Sequence, residues 1–310
     1  MILQPQSIEQ LQEELAQATS IDGLNLSSLD QLIDHVPEDM TATAQAGMTL
    51  AAFQKQLAAG GQWLPLDPHH PENLSMGSLL AGNASGPRRL GFGTVRDWLI
   101  GLTFILPDGR LIRNGGKVVK NVAGFDLCRL LVGSRGTLGI IVEATFKLLP
   151  LPESEILLQK ECNSLDEASE LLEQILASDL QPSILDLYRI NGQSLSIAAG
   201  FSGATADVEA QTSATRDMGL ATETTLSYDG TFRSETHHTE SIAPSELIVS
   251  LKALGDTEFV ARSASGVIYS RALQDENPQA RISERPSPEP SGLQARIKNL
   301  FDPERKLPSL

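Results

Sequence analysis

The sequence predicts an α+β chain of two successive domains. Length and composition allow this, since 310 residues, 41% of them hydrophobic, suffice for two cores without a disulfide framework. The order of elements points the same way. Strand, helix and strand follow one another before residue 65, and short apolar strands joined by glycine-rich turns run from Pro65 to Leu149. A proline-rich break, PLPESE around Pro150 to Glu155, then precedes a second half in which a strand–helix–strand order occurs twice.

In QSIEQLQEELAQATS, Ser7 and Gln10 have capping-box spacing and Ile8, Leu11 and Leu15 share one face, which predicts a surface helix. Met40 to Ala46 alternates as a strand does, Gly47 makes a turn, and Leu50, Phe53 and Leu57 form a helical stripe ended by Gly60 and Gly61. DWLIGLTFILPDGRLIRNGG predicts a hairpin with Asp108-Gly109 at its turn between Phe104 and Ile112, and GTLGIIVEATFKLLP predicts a further strand. Beyond the break comes a strand, a helix capped by Ser164 with Glu167 three residues on, and a second strand from near Ser183. The helix face over Leu165 to Leu176 reads as core packing. SLSIAAGFSG, TADVEAQTSATRDMGL and ETTLSYDG repeat that order, which predicts a small ferredoxin-like sandwich over 151–274, with ELIVSLKAL and FVARSASGVIYSRAL supplying further elements. Residues 275–292 read as an exposed linker rich in proline and charge, and 293–310 as a short helix returning to the body.

A formal net charge of −15 argues against a nucleic-acid or anionic-membrane surface as the main business of the chain. Cys128 and Cys162 lie in separate segments without Cys-x-x-Cys spacing, so neither an iron–sulfur cluster nor a structural zinc has a ligand set, and no metal is expected. No apolar run approaches the roughly 18 residues of a membrane span. Met1 to Gln6 lacks the features of a secretion signal, which makes a cytoplasmic location the expectation. One strip is electropositive: between Gly77 and Lys120, Arg88, Arg89, Arg96, Arg110, Arg113, Lys117 and Lys120 are opposed only by Asp97 and Asp108. Arg88, Arg89, Lys117 and Lys120 are either ordinary surface solvation or compensation for an anionic ligand or an acidic partner.

Two glycine clusters carry the functional signal. NLSMGSLLAGNASGPRRLGFGTVRD holds Gly77, Gly82, Gly86, Gly91 and Gly93 among small residues, with Asn83 and Ser85 able to hydrogen-bond. GFDLCRLLVGSRGTLGII holds Gly124, Gly133, Gly136 and Gly139. Glycine lets backbone N–H groups approach an anionic ligand closely, and it equally marks hairpins and bulges. Neither cluster fits Gly-x-Gly-x-x-Gly between a strand and a helix, or Gly-x4-Gly-Lys-Ser/Thr, so neither a Rossmann site nor a P-loop is predicted.

Three stretches, PEDMTATAQAGMTLAAFQKQLAAGGQWLPLDP, GSLLAGNASGPRRLGFGTVRDWLIGL and GGKVVKNVAGFDLCRLLVGSRGTLGIIVEATFKLLPLPE, together resemble the FAD-binding domain of the vanillyl-alcohol oxidase and p-cresol methylhydroxylase (PCMH) superfamily over Leu29 to Glu153. Within it the likeness is to the E subunit of bacterial glycolate oxidase, also called glycolate dehydrogenase. LFDPERKLP resembles the family's closing Asp-Pro segment, with Leu307-Pro308-Ser309 in place of Asn-Pro-Gly. The resemblance implies a two-subdomain PCMH-type FAD-binding fold over 1–150 with a reduced ferredoxin-like cap over 151–274. It implies that a central loop through Gly77, Ser78, Gly82, Asn83, Gly86 and Gly93 lies along the FAD pyrophosphate and ribityl chain, anchored by Arg96 and Asp97. Ser78 stands where the family usually has a second glycine. It further implies that Gly124, Gly133, Ser134, Gly136, Thr137, Leu138, Gly139 and Ile141 belong to the cofactor site, the last seven facing it with main-chain groups.

Upstream the chain departs from the family. Where members carry a strand and a Gly-x-Gly-x-Ser/Thr phosphate loop, AQATS leads to IDGLNLSSLDQL with only Gly23 between, so the first phosphate loop is missing. Each lost charge-assisted hydrogen bond to the pyrophosphate forfeits about 1.5–3 kcal/mol. Covalent flavin attachment through a histidine of that loop is excluded, and FAD is expected to bind noncovalently.

Flavin-dependent oxidation of a 2-hydroxy acid needs a base for the hydroxyl proton and a cation for the carboxylate. The histidine-rich segment of related catalytic subunits is not visible here. His237 and His238 lie in the polar RSETHHTESIAP, read as an exposed loop; His69 and His70 read as structural or as shaping the pocket; Asp126 reads as a loop organiser. No catalytic residue is assigned. The resemblance implies a subunit that passes electrons beside a flavoprotein D-type subunit and an iron–sulfur F-type subunit, in a complex that oxidises glycolate to glyoxylate and sits peripherally at the inner membrane. The missing phosphate loop favours a second reading, a non-catalytic scaffold of the same fold that has lost FAD. A third is an autonomous flavin oxidase for another alcohol.

Overall fold

The structure, a computed structural model, describes residues 1–116, 126–192, 194–235, 237–271 and 292–309. Its first elements are β1 (Ile2–Leu3), α1 (Ile8–Gln17) and β2 (Gly23–Leu24), with β1 and β2 paired in parallel. Ser7 starts α1 as its spacing foretold, its Oγ accepting from the Gln10 N–H at 3.2 Å, and Leu11 and Leu15 are buried. Then come β3 (Leu32–Val36), β4 (Thr41–Gln45), α2 (Leu50–Ala58) and β5 (Gln62–Trp63). The stripe of Leu50, Phe53 and Leu57 is the buried face of α2.

Residues 76–98 correct the sequence reading. The expected glycine-rich loop is instead three short helices, α3 (Met76–Gly82), α4 (Arg89–Phe92) and α5 (Val95–Trp98). Ser75 Oγ accepts from the Ser78 N–H at 3.2 Å, and Met76, Leu79 and Leu80 fall on one fully buried face. Apolar burial plus a cap outweighs the low helix propensity of glycine.

The hairpin of β6 (Leu99–Ile105) and β7 (Leu111–Gly115) forms with Phe104 opposite Ile112, as the Asp108-Gly109 signal requires. After α6 (Leu127–Leu131) follow β8 (Ile140–Lys147) and β9 (Leu149–Pro150). Asp126 is the N-cap of α6, accepting from the Arg129 N–H at 3.0 Å. Five strands make one antiparallel sheet in the order β3-β4-β8-β6-β7. Its core gathers Ala42, Ala44, Phe53, Leu79, Phe104 and Phe146.

The second half contributes β10 (Ser154–Cys162), α7 (Leu165–Ala177), β11 (Ile184–Arg189), β12 (Leu195–Gly203), α8 (Thr205–Asp217), β13 (Thr222–Glu223), α9 (Ser227–Arg233), β14 (His238–Ser241), α10 (Leu247–Ala253), β15 (Phe259–Arg262) and β16 (Val267–Ser270). These strands form a sheet in the order β13-β10-β12-β11-β15-β16-β14. Its first four strands, with α7 and α8, have the ferredoxin-like order that the repeated pattern foretold. His238 is the first residue of β14, so the segment read as an exposed loop is in part an exposed strand, paired through His238 with Ser270. The proposed linker lies outside the described residues except for Gly292, which begins α11 (Gly292–Phe301).

The two sheets meet through Arg88, whose guanidinium reaches Asp67 at 3.4 Å and Glu155 at 3.0 Å, and through the Gly91 N–H, which donates to Ser183 O at 3.1 Å.

Candidate functional site

A cavity of about 260 Å³ opens beside the first sheet. One wall comes from the segment after α1, with Ile21, Gly23, Leu24 and Leu26, and another from the start of α3, with Ser75, Gly77, Ser78 and Ala81. The turn before β8 contributes Arg135, Gly136 and Gly139 and leads into Ile140 and Ile141; Leu307 and Pro308 close the remaining side. Two stretches some 60 residues apart in sequence, each singled out for its glycines, thus face one space.

Of the expected cofactor residues, Gly77, Ser78, Gly136, Gly139 and Ile141 line this cavity. Several others build the wall behind it. Asn83 ends α3 in the left-handed conformation, at φ 49°, with its N–H bonded to Leu79 and Leu80 carbonyls. The Gly133 N–H donates to Leu80 O and the Arg135 N–H to Ala81 O, both at 2.9 Å, so the turn is pinned to the end of α3. Thr137 Oγ1 donates to Ser134 O at 2.7 Å, and Leu138 is packed in the core.

The remaining expected residues fall away from the cavity lining. Gly82 has open space at its missing side chain, whereas Gly86 is held by close packing, since a Cβ there would lie 1.9 Å from Asp67 O. Asp97 caps α5, accepting from the Thr94 N–H at 2.8 Å, which is tight against Gly93. Arg96 donates to Val132 O at 3.3 Å. Asp97 thus holds the start of α5 beside Gly93, the last glycine of the expected loop, and Arg96 ties α5 to the turn at Gly133. Gly124, Lys117 and Lys120 lie outside the described residues. Arg88 is spent on Asp67 and Glu155 and stands 5.3 Å from the centre of the Trp63 ring, so it is not a free phosphate ligand. The His69 and His70 rings lie against each other, centroids 3.7 Å apart and tilted by 49°, and do not line the cavity.

The donor set suits a flavin dinucleotide. Apolar walls can hold rings, Ser75 and Ser78 carry hydroxyls, Gly136 at φ 75° leaves open space for close approach, and Arg135 supplies a cation. Asn83 Oδ1 and Ser134 Oγ, both on expected cofactor residues, are buried without a hydrogen-bond partner, which is the condition a polar ligand or water relieves. When bound, FAD supplies a hydride acceptor at its N5. Against this, the route from α1 to β3 holds Gly23 as its single glycine, and its later part presses so closely on Gly47 that a Cβ there would lie 1.8 Å from Leu26 O. No phosphate loop of the family type occupies that route.

Titratable groups near the site carry structural signatures. Burial pushes the Asp67 carboxyl up to about 6 despite the pull of Arg88. Burial, with Asp126 nearby, pushes the Cys128 thiol up to about 11, which makes it an inert core residue. Among the described residues no group of three or more His, Cys, Asp or Glu side chains could hold a metal ion, and no helix is long and apolar enough to cross a membrane. Sequence reasoning missed Ser75, Arg135, Leu307 and Pro308. Arg135 stood between two glycines already singled out, whereas nothing local to Leu307 places it at a cavity.

Residues 20–115 match the model of a family described as an FAD binding domain. A stretch of 158 residues, 51% of the chain, is 37% identical to glycolate oxidase subunit GlcD of Bacillus subtilis and covers 34% of that protein. Another of 143 residues, 46% of the chain, is 38% identical to glycolate oxidase subunit GlcE of Escherichia coli and covers 41% of it. D-2-hydroxyglutarate dehydrogenase of Xanthomonas citri is 38% identical over 136 residues, 44% of this chain and 29% of that protein. The chain thus spans well under half the length of these curated relatives. Its fold superposes on alkyldihydroxyacetonephosphate synthase with a TM-score of 0.71 over 99% of this chain and 76% of that one, at 16% identity, a likeness of fold alone.

The fold is α+β, and within it residues 20–115 match an FAD binding domain. More particularly, the cofactor that the matched domain's description names is FAD, and the similarity in sequence is to glycolate oxidase subunits.

Proposed function

We propose that the chain is the FAD-binding E-type subunit of a glycolate oxidase, a complex that oxidises glycolate to glyoxylate and passes electrons to D-type flavoprotein and F-type iron–sulfur partners. Residues 1–150 are its FAD-binding domain and 151–274 its reduced cap. The observation that carries the reading is the meeting of Gly77, Ser78, Gly136, Gly139 and Ile141 in one cavity, in a chain similar in sequence to both glycolate oxidase subunits. In this reading those five residues contact FAD, and Asn83, Gly133, Ser134, Thr137 and Leu138 support them. The chain's task is to bind and orient the cofactor; proton abstraction from the substrate falls to a partner.

The passage from α1 to β3, with Gly23 its single glycine, favours a second reading, a scaffold of the same fold without flavin. Cofactor content decides between them. The chain is expressed alone, stripped of free flavin, and its visible spectrum and FAD-to-protein ratio after acid release are recorded. A ratio near one supports the electron-carrying subunit. A colourless, folded chain that still co-purifies with its flavoprotein and iron–sulfur neighbours leaves the scaffold. Steady glycolate turnover by the isolated chain would sink both.

A further inference from the structure

We propose that Lys298 and Asp302 are positioning residues of the flavin cavity, joining two of its walls through one buried ion pair; the proposal rests on the FAD reading above. Both lie in or just after α11, four residues apart, and Asp302 is fully buried while Lys298 is 8% exposed. The Lys298 ammonium donates to Asp302 Oδ2 at 2.6 Å, to Thr137 O at 2.8 Å and to Pro308 O at 2.9 Å. A longer contact to Leu307 O, at 3.4 Å, brings a fourth acceptor to its three protons. Thr137 belongs to the turn that carries Arg135, Gly136 and Gly139 into the cavity, and Pro308 stands on the facing wall. Asp302 completes the arrangement by accepting from the N–H groups of Lys306 and Leu307, each at 2.9 Å. Lys306 O in turn accepts from the Ile21 N–H at 2.9 Å, which ties in the third wall.

Stability alone does not account for this pair. A buried ion pair is commonly replaceable by apolar residues of similar volume at little or no cost in stability, whereas removing one partner leaves a buried charge unpaired. What an apolar pair cannot reproduce is the set of bonds to Thr137 O, Pro308 O and the two N–H groups. The ion pair therefore fixes the separation and alignment of the walls, and a cavity must be preorganised to within a fraction of an ångström to hold its ligand well.

The test uses the full chain and the double variant K298M/D302L, which removes both charges together. FAD affinity is read by flavin fluorescence titration of the apoprotein, thermal stability by calorimetry without flavin, and local opening by amide hydrogen exchange. The expected result is an apoprotein melting near wild type, an FAD dissociation constant raised at least tenfold, and faster exchange over 134–139 and 306–309. Wild-type affinity and wild-type exchange in a stable double variant would overturn the proposal. Should the double variant fail to fold, Pro308→Glu provides the second arm, because Pro308 is exposed and its carbonyl remains to accept from Lys298. That variant should lose FAD affinity at least tenfold without a change in melting, and unchanged affinity counts against the proposal. If wild type itself binds no FAD, the FAD reading fails separately, and exchange at 134–139 still reports whether the pair holds the walls.

Discussion

The two sheets treat the space beside them in different ways. On the five-stranded sheet, small residues on β4 and β8, Ala42, Ala44 and Ala144, sit within the core, and the neighbouring Ala46, Gly77, Ala81 and Gly136 leave a cavity. Polar groups there, Asn83 Oδ1 and Ser134 Oγ, are left without partners. The seven-stranded sheet is filled on both faces. Leu158, Leu172, Ile197, Phe201 and Phe259 occupy one face. On the other, Tyr188 stacks on Tyr228 at 4.1 Å beside Phe232 and Tyr269. Its buried charges pair within it, Arg262 with both Asp186 and Asp229, and the Tyr228 hydroxyl donates to Asp186 at 2.7 Å, although Asp186 Oδ1 and Arg262 Nε have no hydrogen-bond partner. Small residues thus make binding space in one region, and aromatic and ionic contacts close it in the other. Substitutions in the second sheet should cost stability and spare flavin affinity, and those in the cavity should do the reverse.

The largest effect is expected at Arg262. Arg262→Met leaves Asp186 and Asp229 buried without their cation, and such a break costs about 3–5 kcal/mol. Urea unfolding of the apoprotein should show that loss, while the remaining folded protein binds FAD as wild type does. A variant that kept its stability and lost FAD would break the comparison at its strongest point.

Asp67 lies between the regions and sharpens the comparison by pH. Its side chain is 13% exposed and its folded pKa is raised from 3.8 to about 6. The folded state therefore holds this proton more tightly than the unfolded chain. The resulting stabilisation is complete below about pH 4 and is lost as the pH rises through about 6, a change of about 3 kcal/mol. Unfolding free energy measured across that window should fall for wild type and fall less steeply for Asp67→Asn. Equal slopes would show that the carboxyl is no such contributor. FAD affinity at neutral pH should be little changed, because Asp67 does not line the cavity.

How much of this could be read from the sequence follows the range of the interactions. The caps at Ser7 and Ser164 and the Asp108-Gly109 turn depend on neighbours within a few residues, the ferredoxin-like strand order follows from the repeated order of elements, and all of them appear in the structure. The helices over 76–98 escaped because glycine lowers local helix propensity, while the burial of Met76, Leu79 and Leu80 that overrides it is tertiary. Arg88 was legible as a cation but not as a committed one, since Glu155 lies 67 residues away. Within the site, motif resemblance picked out Gly77, Gly136 and Gly139, yet it could not separate cavity-lining glycines from Gly86, whose place is set by close packing on Asp67.

The smallest effect tests the cavity's own charge. Arg135 is exposed, lines the cavity and sits at φ 52° between Gly133 and Gly136, which are also left-handed. What pins the turn is its backbone N–H to Ala81 O, a bond that glutamine retains, so Arg135→Gln should leave unfolding unchanged. A pyrophosphate facing this guanidinium would lose one screened attraction, worth about tenfold in affinity, or about 1.4 kcal/mol. Because the Debye length shrinks to about 3 Å at 1 M salt, the wild-type advantage should shrink as salt is added. FAD titrations of both proteins at low and high salt measure it. A salt-independent difference would point to altered turn geometry, and no difference at all would place the phosphates elsewhere in the cavity, leaving the glycine backbone as their remaining support.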